Sequence, residues 1–131
     1  MPAAESYPDD VRYHPQHDWA RIHGDEAVLG ITWFAQDALG ELVHYEAPEV
    51  GAAVTRDQSY GEVESVKAVS DLIAPLSGEV LEVNQAVVDA PETVNEDPYG
   101  QGWLIRIRMT DPSEAESLLD LEAYRQVLAE Q

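Results

Sequence analysis

Gly61-Glu62-Val63-Glu64-Ser65-Val66-Lys67-Ala68-Val69-Ser70-Asp71 is the stretch on which the reading of this chain turns. Two short runs rich in valine meet there, with Lys67 set between Val66 and Ala68. β-Branched residues at this density favour a pleated strand, so the pattern predicts two strands joined by a tight turn whose charged tip points to solvent. Lys67 is also the only lysine in 131 residues, although six arginines show that the chain disfavours lysine in general. An enzyme that acylates amines therefore finds a single side-chain candidate. The plain alternative is a solvated hairpin lysine that keeps a strand edge soluble.

Outward from the hairpin, the same alternation of short apolar runs and turn residues continues. Residues 26–31, Glu-Ala-Val-Leu-Gly-Ile, predict a strand, after which Thr32 is placed to cap a short helix over residues 33–39 that Gly40 ends. Phe34, Ala38 and Leu39 are expected to face the core from that helix. Three segments open with Gly-Glu and continue apolar, at residues 40, 61 and 78, and read as entries into successive strands. Turns at residues 48–51 and 75–78 separate them. Residues 84–101 carry Pro91, Pro98, Gly100 and four acidic side chains, which predicts a loop with one helical turn near residues 91–94. Residues 103–109 alternate, with apolar side chains on one face and Arg106 and Arg108 on the other. Ser113 and Glu116 have capping-box spacing for a short helix. Asp120 then caps a last one, with Leu121, Tyr124, Val127 and Leu128 on one face. Residues 1–10 show no periodicity and are expected to form a flexible tail before a single domain over residues 11–131.

Composition narrows the function classes. With 26 acidic and 7 basic residues the formal charge is −19, which repels phosphate backbones and anionic lipid heads, so neither nucleic acid nor membrane is expected as a partner. Neither a membrane-length apolar run nor the pattern of a signal peptide is present, and a cytoplasmic protein is expected. There is no cysteine, which removes thiolate metal sites, iron–sulfur clusters and cysteine nucleophiles. His14, His17, His23 and His44 have no metal-ligand spacing, and no metal site is expected. No nucleophile and base share a motif, so catalytic residues are not expected.

The hairpin resembles the attachment signature Glu-Ser-x-Lys-Ala/Ser-x-Ser-Asp of the glycine cleavage system H proteins. Here it is carried by Glu64, Ser65, Lys67, Ala68, Ser70 and Asp71. His17-Asp18-Trp19, Gly30-Ile31-Thr32, the helix from Ala35 to Gly40, Pro48-Glu49-Val50-Gly51, Ala74-Pro75-Leu76-Ser77-Gly78, Asp97-Pro98-Tyr99-Gly100 and Gly102-Trp103 are similar to further stretches of that family. The resemblance implies a mainly β fold, a barrel-sandwich hybrid like that of lipoyl and biotinyl carriers, with a short helix in the N-terminal half and helices at the C-terminus. It implies a non-catalytic carrier, with lipoate in amide linkage on Lys67 and a turn of Glu64, Ser65, Val66 and Ala68 read by a lipoate-attaching enzyme. Such a carrier takes the aminomethyl group of glycine from a pyridoxal-phosphate glycine decarboxylase to a tetrahydrofolate-dependent aminomethyltransferase. Dihydrolipoamide dehydrogenase then reoxidises it. Asp71, Asp18 and Gln16 are the residues the resemblance puts against the loaded arm, because a carboxylate beside an ammonium favours its charged form.

This chain departs from the family pattern at Asp18, where glutamate is usual, and at Trp33, His44 and Ala47. None of these lies in the attachment signature. Biotinyl carriers usually flank their lysine with methionine, unlike Val66 and Ala68, and lipoyl domains of the 2-oxo acid dehydrogenases are shorter and lack the terminal helices. An H-like lipoyl carrier serving lipoate relay or sulfur oxidation is the alternative function. An unmodified acidic interaction module is the reading of a different class.

Overall fold

The computed structural model describes residues 3–131. Two antiparallel sheets face each other. The larger runs in the order β1 (Arg12–Tyr13), β2 (Asp18–His23), β3 (Glu26–Ile31), β9 (Ile105–Met109), β8 (Gly78–Val83) and β5 (Ala53–Val54). The smaller runs β4 (Leu42–Glu46), β6 (Ser59–Ser65) and β7 (Val69–Ile73), with β6 at its centre. This mainly β sandwich is the carrier architecture that the resemblance implies. Inward-facing residues of both sheets form the principal core, among them Leu29, Leu42, Val63, Leu72, Val80 and Ile107. Burial of such side chains is the main favourable term in folding. Arg106 and Arg108 lie on the other face of β9, Arg106 bridging Glu26 at 2.8 Å and Glu82 at 3.2 Å.

A second apolar cluster, of Val11, Tyr13, Trp19 and Tyr124, covers the other side of β2. Tyr13 and Tyr124 stack with ring centroids 4.3 Å apart, which fastens the helix α4 (Leu121–Ala129) to the first strand. The stripe of Leu121, Tyr124, Val127 and Leu128 is thus a packing surface, as its spacing predicts. Asp120 caps α4 by accepting from the Ala123 N–H at 2.8 Å.

The helix α1 (Trp33–Leu39) begins at Thr32, whose hydroxyl accepts from the Ala35 N–H at 3.3 Å, and it ends at Gly40 with φ 83°. One expectation there is corrected. Ala38 is exposed; Ala35 and Leu39 pack on the core, Gln36 is the buried residue, and Phe34 lies against the His17 ring at 4.5 Å. A seven-residue helix turns through barely two turns, so its inner face rests on the i, i+4 pair Ala35 and Leu39.

Residues 84–101 hold more helix than a loop with one turn. Asn84 caps α2 (Gln85–Asp89), which buries Val87, and α3 (Thr93–Glu96) buries Val94 and Asn95. Each is too short to show a periodicity that sequence alone could resolve. The segment before α4 is a 3₁₀ helix, Pro112–Ser117, capped by Asp111 and not by Ser113. Pro112 at its first position makes the preceding residue the cap. Glu114 reaches instead to Ser77, accepting from its N–H at 2.7 Å.

Of the expected tail, Met1 and Pro2 lie outside the described residues. The following residues have no regular structure, yet they lie against the body: Ala3 donates to the Asn95 carbonyl at 2.9 Å and accepts from the Trp33 indole at 2.8 Å. The Tyr99 hydroxyl likewise donates to the Ser6 carbonyl at 2.8 Å.

Trp19 is fully buried, and its indole N–H is shared by the carbonyls of Ile31 at 3.0 Å and Pro98 at 3.1 Å. Gly30 stands opposite it in register, where a Cβ would come within 2.5 Å of the ring. The ring is held on every side and has no room to yield. Gly30→Ala is therefore expected to destabilise the fold by about 1–3 kcal/mol, the usual cost of overpacking. Urea denaturation followed by tryptophan fluorescence measures it; an unchanged midpoint would show that the indole can shift.

Candidate functional site

Lys67 stands at the end of the β6–β7 hairpin, in a turn built by Ser65. The Ser65 N–H donates to the Ala68 carbonyl at 2.8 Å, and its hydroxyl oxygen accepts from the N–H groups of Lys67 at 3.3 Å and Ala68 at 3.1 Å. Neither Val66 nor Lys67 has a positive φ. Two-residue hairpin turns usually need left-handed residues such as Asn-Gly, which a β-branched valine tolerates poorly. Here the serine side chain satisfies the turn's backbone donors and the left-handed conformation is not needed. Ser65 is itself buried, so the tip is anchored at its base.

Lys67, Val66 and Val69 are exposed on the hairpin, and Val43 is exposed at the adjacent β4 bulge, between Leu42 opposite Ser65 and His44 opposite Glu64. The lysine thus stands in an apolar collar. Its stem passes back over the end of α1: a Cβ on Gly40 would lie 3.6 Å from Lys67 Cε. Beside Gly40 opens a hollow of about 260 Å³, lined by Gln36, Asp37, Glu41, Glu92, Asn95 and Glu96. Asn95 closes its floor, accepting from the Leu42 N–H and donating to Gln36 Oε1 and the Gly40 carbonyl, each at 2.9 Å. Arg21, Arg56, Arg106 and Arg108 each lie within ion-pair distance of a carboxylate, whereas Lys67 has no such partner among the described residues. A primary amine on a rigid turn, free of ion pairs, is available for acylation.

The three carboxylate and amide candidates for the arm do not share one surface. Asp71 and Gln16 are exposed, while Asp18 is buried with 3% of its surface accessible. Asp71 lies on β7 four residues beyond Lys67, two residues into the strand, opposite Glu62. The Ser59 hydroxyl reaches it at 3.5 Å. Two residues further on, the Ile73 backbone N–H bonds Asp18, so β7 runs past both carboxylates. Burial holds the Asp18 carboxyl well above the usual carboxylate range, with the Ile73 N–H pulling the other way. Its Oδ2 has no hydrogen-bond partner.

Gln16 and Asp18 flank His17, which takes the left-handed conformation at φ 74°. The His17 ring meets the Tyr124 hydroxyl at 2.7 Å, and that hydroxyl also meets Thr32 Oγ1 at 2.8 Å. Burial lowers the His17 pKa. Before it, the buried His14 links this loop to the β5–β6 turn. Its Nδ1 accepts from the Gln16 N–H at 3.0 Å, so the proton is on Nε2, which donates to Asp57 at 2.7 Å. That bond holds the exposed Asp57 below its ordinary value. In the sequence His14 stands out only as a histidine without metal-ligand spacing, and Asp57 does not stand out at all. Nothing in their spacing, 43 residues apart, relates them. Among the described residues no group of three or more histidine and acidic side chains is arranged to hold a metal.

The sequence model of the glycine cleavage H-protein family matches residues 11–131. A glycine cleavage system H protein of Anaeromyxobacter sp. (strain K) is 52% identical over 124 residues, 95% of this chain and 97% of that protein. One from Symbiobacterium thermophilum is 48% identical over 117 residues, 89% of this chain and 91% of that one. Among solved structures, a glycine cleavage system H protein from Mycobacterium marinum superimposes with a TM-score of 0.87 at 44% identity, covering 94% of this chain and 99% of that one.

The buried Asp18 generates a pH dependence of stability. The folded carboxyl keeps its proton where the unfolded one, with a pKa of about 3.9, has lost it. The unfolded chain then binds fewer protons, and stability declines as pH rises from about 3.9 to the folded value. Each unit of separation is worth about 1.4 kcal/mol. Asp18→Asn removes this titration and is expected to be more stable than the parent near neutral pH, with the difference closing below about pH 4. Urea midpoints at the two pH values decide it; a variant less stable at neutral pH would mean that the carboxylate is ionised and paired in the folded protein.

Proposed function

The chain belongs to the glycine cleavage H-protein family, and from that membership we propose that Lys67 is the residue that carries lipoate, in amide linkage through Nζ. Proteins of this family are lipoyl-bearing, non-catalytic carriers that move the aminomethyl group of glycine through the glycine cleavage system. The chain is accordingly a carrier subunit of a multienzyme system. The observation that supports Lys67 is its placement: the chain's single lysine, exposed at the tip of an anchored hairpin.

The residues present fit such an arm. The lysine stem passes over Gly40 within van der Waals reach, and the exposed Val43, Val66 and Val69 offer apolar ground for a hydrocarbon chain. When bound, the group supplies a disulfide that opens and recloses as cargo is taken and given up. Glu64, Ser65, Val66 and Ala68 present the turn to a lipoate-attaching enzyme, with Ser65 fixing its geometry. Asp71 meets the protonated amine of the cargo at the surface. Asp18, buried at the start of β2, is the deeper anchor, and Gln16 lies on the loop that leads into that strand. Holding a cation beside a carboxylate, away from water, slows its loss to solvent.

The partners of this reading are a glycine decarboxylase, an aminomethyltransferase and dihydrolipoamide dehydrogenase, besides the attaching enzyme. Residues 11–131 act as one carrier domain, and the cytoplasm is its place of work. No helix among the described residues is long and apolar enough to cross a membrane. The net charge of −19 steers the tip toward basic entrances on those enzymes.

Lys67→Arg is expected to fold as the parent does and to take up no lipoate when the attaching enzyme is supplied; intact mass decides, and a lipoylated variant would disprove the assignment. Glycine-dependent reduction of the parent's arm then tests the pathway, since a lipoylated carrier that glycine cannot reduce serves another route. Association with the decarboxylase is expected to slow as added salt shortens the screening length from roughly 10 Å toward 3 Å. Stopped-flow rates that hold steady or rise across that range would reject steering.

A further inference from the structure

Single apolar side chains in water are ordinary, but several gathered in one place mark a surface that something covers. Among the described residues five large apolar side chains are exposed, and three of them surround Lys67: Val66 at 77%, Val69 at 60% and Val43 at 48%. Val66 and Val69 belong to the hairpin itself. Val43 is brought there by the bulge in β4, where Leu42 pairs with Ser65 and His44 with the adjacent Glu64. A regular strand would send His44 inward beside Leu42. The extra residue shifts the alternation, so that Val43 and His44 both face solvent and Tyr45 returns to the core.

Behind this collar the outer face of the smaller sheet is acidic. Glu46 pairs with Glu62, and Glu62 with Asp71, so one row across β4, β6 and β7 consists of three exposed carboxylates. Directly opposed side chains have Cβ atoms about 4.5–5.5 Å apart, and like charges so placed destabilise a sheet. His44 lies 3.6 Å from Glu46. Among the described residues no lysine or arginine comes within ion-pair distance of any of the three. The row therefore costs the isolated carrier stability and lacks a cation of its own.

Acylation of Nζ requires that this ground be covered. The activated acyl group, an anhydride of lipoate with AMP, is held inside the enzyme that made it. Nζ stands only about 6 Å from its own Cα, so it reaches that group when the hairpin tip is seated in the enzyme's mouth. There the amide C–N bond forms as the bond from the acyl carbon to the phosphate oxygen breaks; AMP departs, and the amine's proton passes to a base. A site that grips the phosphate of AMP is itself cationic. We propose that the outer face of the smaller sheet is the docking surface for the lipoate-attaching enzyme. Val43 completes an apolar seal around Lys67, and the row of Glu46, Glu62 and Asp71 meets cationic side chains beside the adenylate. Burial of the three valines drives the contact and the carboxylates orient it. This docking rests on Lys67 as the attachment residue and extends recognition from the four turn residues to a folded surface built by three strands.

The test supplies parent and variants with an attaching enzyme, ATP and lipoate, and reads initial rates of lipoylation from intact mass. Val43→Ser changes an exposed side chain and should keep the parent's urea midpoint. Its KM should rise about fivefold with kcat little changed, because the amine and its chemistry are untouched. Val43→Ile should keep the parent's KM. Glu62→Gln relieves repulsion from both neighbours, so its urea midpoint should rise, while its KM at low salt also rises, about threefold. Val50→Ser, beyond the end of β4 remote from the tip, and Glu122→Gln on α4 make the same chemical changes off this face. Both should be lipoylated as the parent is. If Val43→Ser and Glu62→Gln are slowed no more than these two controls, the docking surface is overturned and Lys67 stands as the attachment residue. A parent that takes up no lipoate overturns both.

Discussion

The first half of β2, Asp18 to Ala20, is buried on both faces, and most of what surrounds the site follows from that constraint. Ala20 points into the principal core and Trp19 into the second cluster beneath Tyr13 and Tyr124. Side chains alternate along a strand, so Asp18 shares the face of Ala20 and is carried inward whatever its polarity. A carboxylate so placed costs free energy unless it is paired or neutral. The protein meets this with one backbone donor from Ile73, while burial raises the Asp18 carboxyl pKa well above its ordinary range. The same strand requires Gly30 opposite Trp19, where a Cβ would come within 2.5 Å of the indole.

The hairpin that bears Lys67 is governed by a different balance. Its tip is exposed, apolar at Val66 and Val69, and lacks the glycine or asparagine that usually eases so tight a reversal. The Ser65 hydroxyl takes up the backbone donors that the reversal leaves free, and burial of Ser65 transmits the rigidity of the sandwich to the lysine. A carrier needs this division of stiffness: a fixed root places the amine, and the motion is left to the side chain. Asn95 performs the corresponding task for α1, tying Gly40 and Leu42 so that the ground under the lysine stem does not move.

Charge is distributed to the same end. The two arginines of β9 are engaged by glutamates across strands, Arg106 between Glu26 and Glu82 and Arg108 with Glu79. Pairs this exposed add little stability. Their consequence is electrostatic. They leave an acidic surface with a single lysine, exposed and without an ion-pair partner among the described residues, at the hairpin tip, and an amide on that lysine would remove its charge and deepen the field around it.

The sequence by itself determined the hairpin and its lysine, the strand at residues 26–31, strand entries near residues 40, 61 and 78, a strand within residues 103–109, the Thr32 and Asp120 caps, and the packing stripe of the last helix. These are local: β-branched density, capping chemistry and period each act within a few residues, and a reader of the chain sees the same interactions the fold uses. Tertiary structure decided the rest. Ala38 and Ala35 look alike in sequence, and only the docking angle of α1 buries one of them. Two short helices within residues 84–101 exist because Val87 and Val94 find the core, not because their propensity demands it. The bond from His14 to Asp57 joins residues 43 apart in a chain that gives no period or motif to relate them. Whether an aspartate is an exposed charge, as at Asp71, or a buried acid holding its proton, as at Asp18, depends on the dielectric around it, and that is a property of the assembled sandwich.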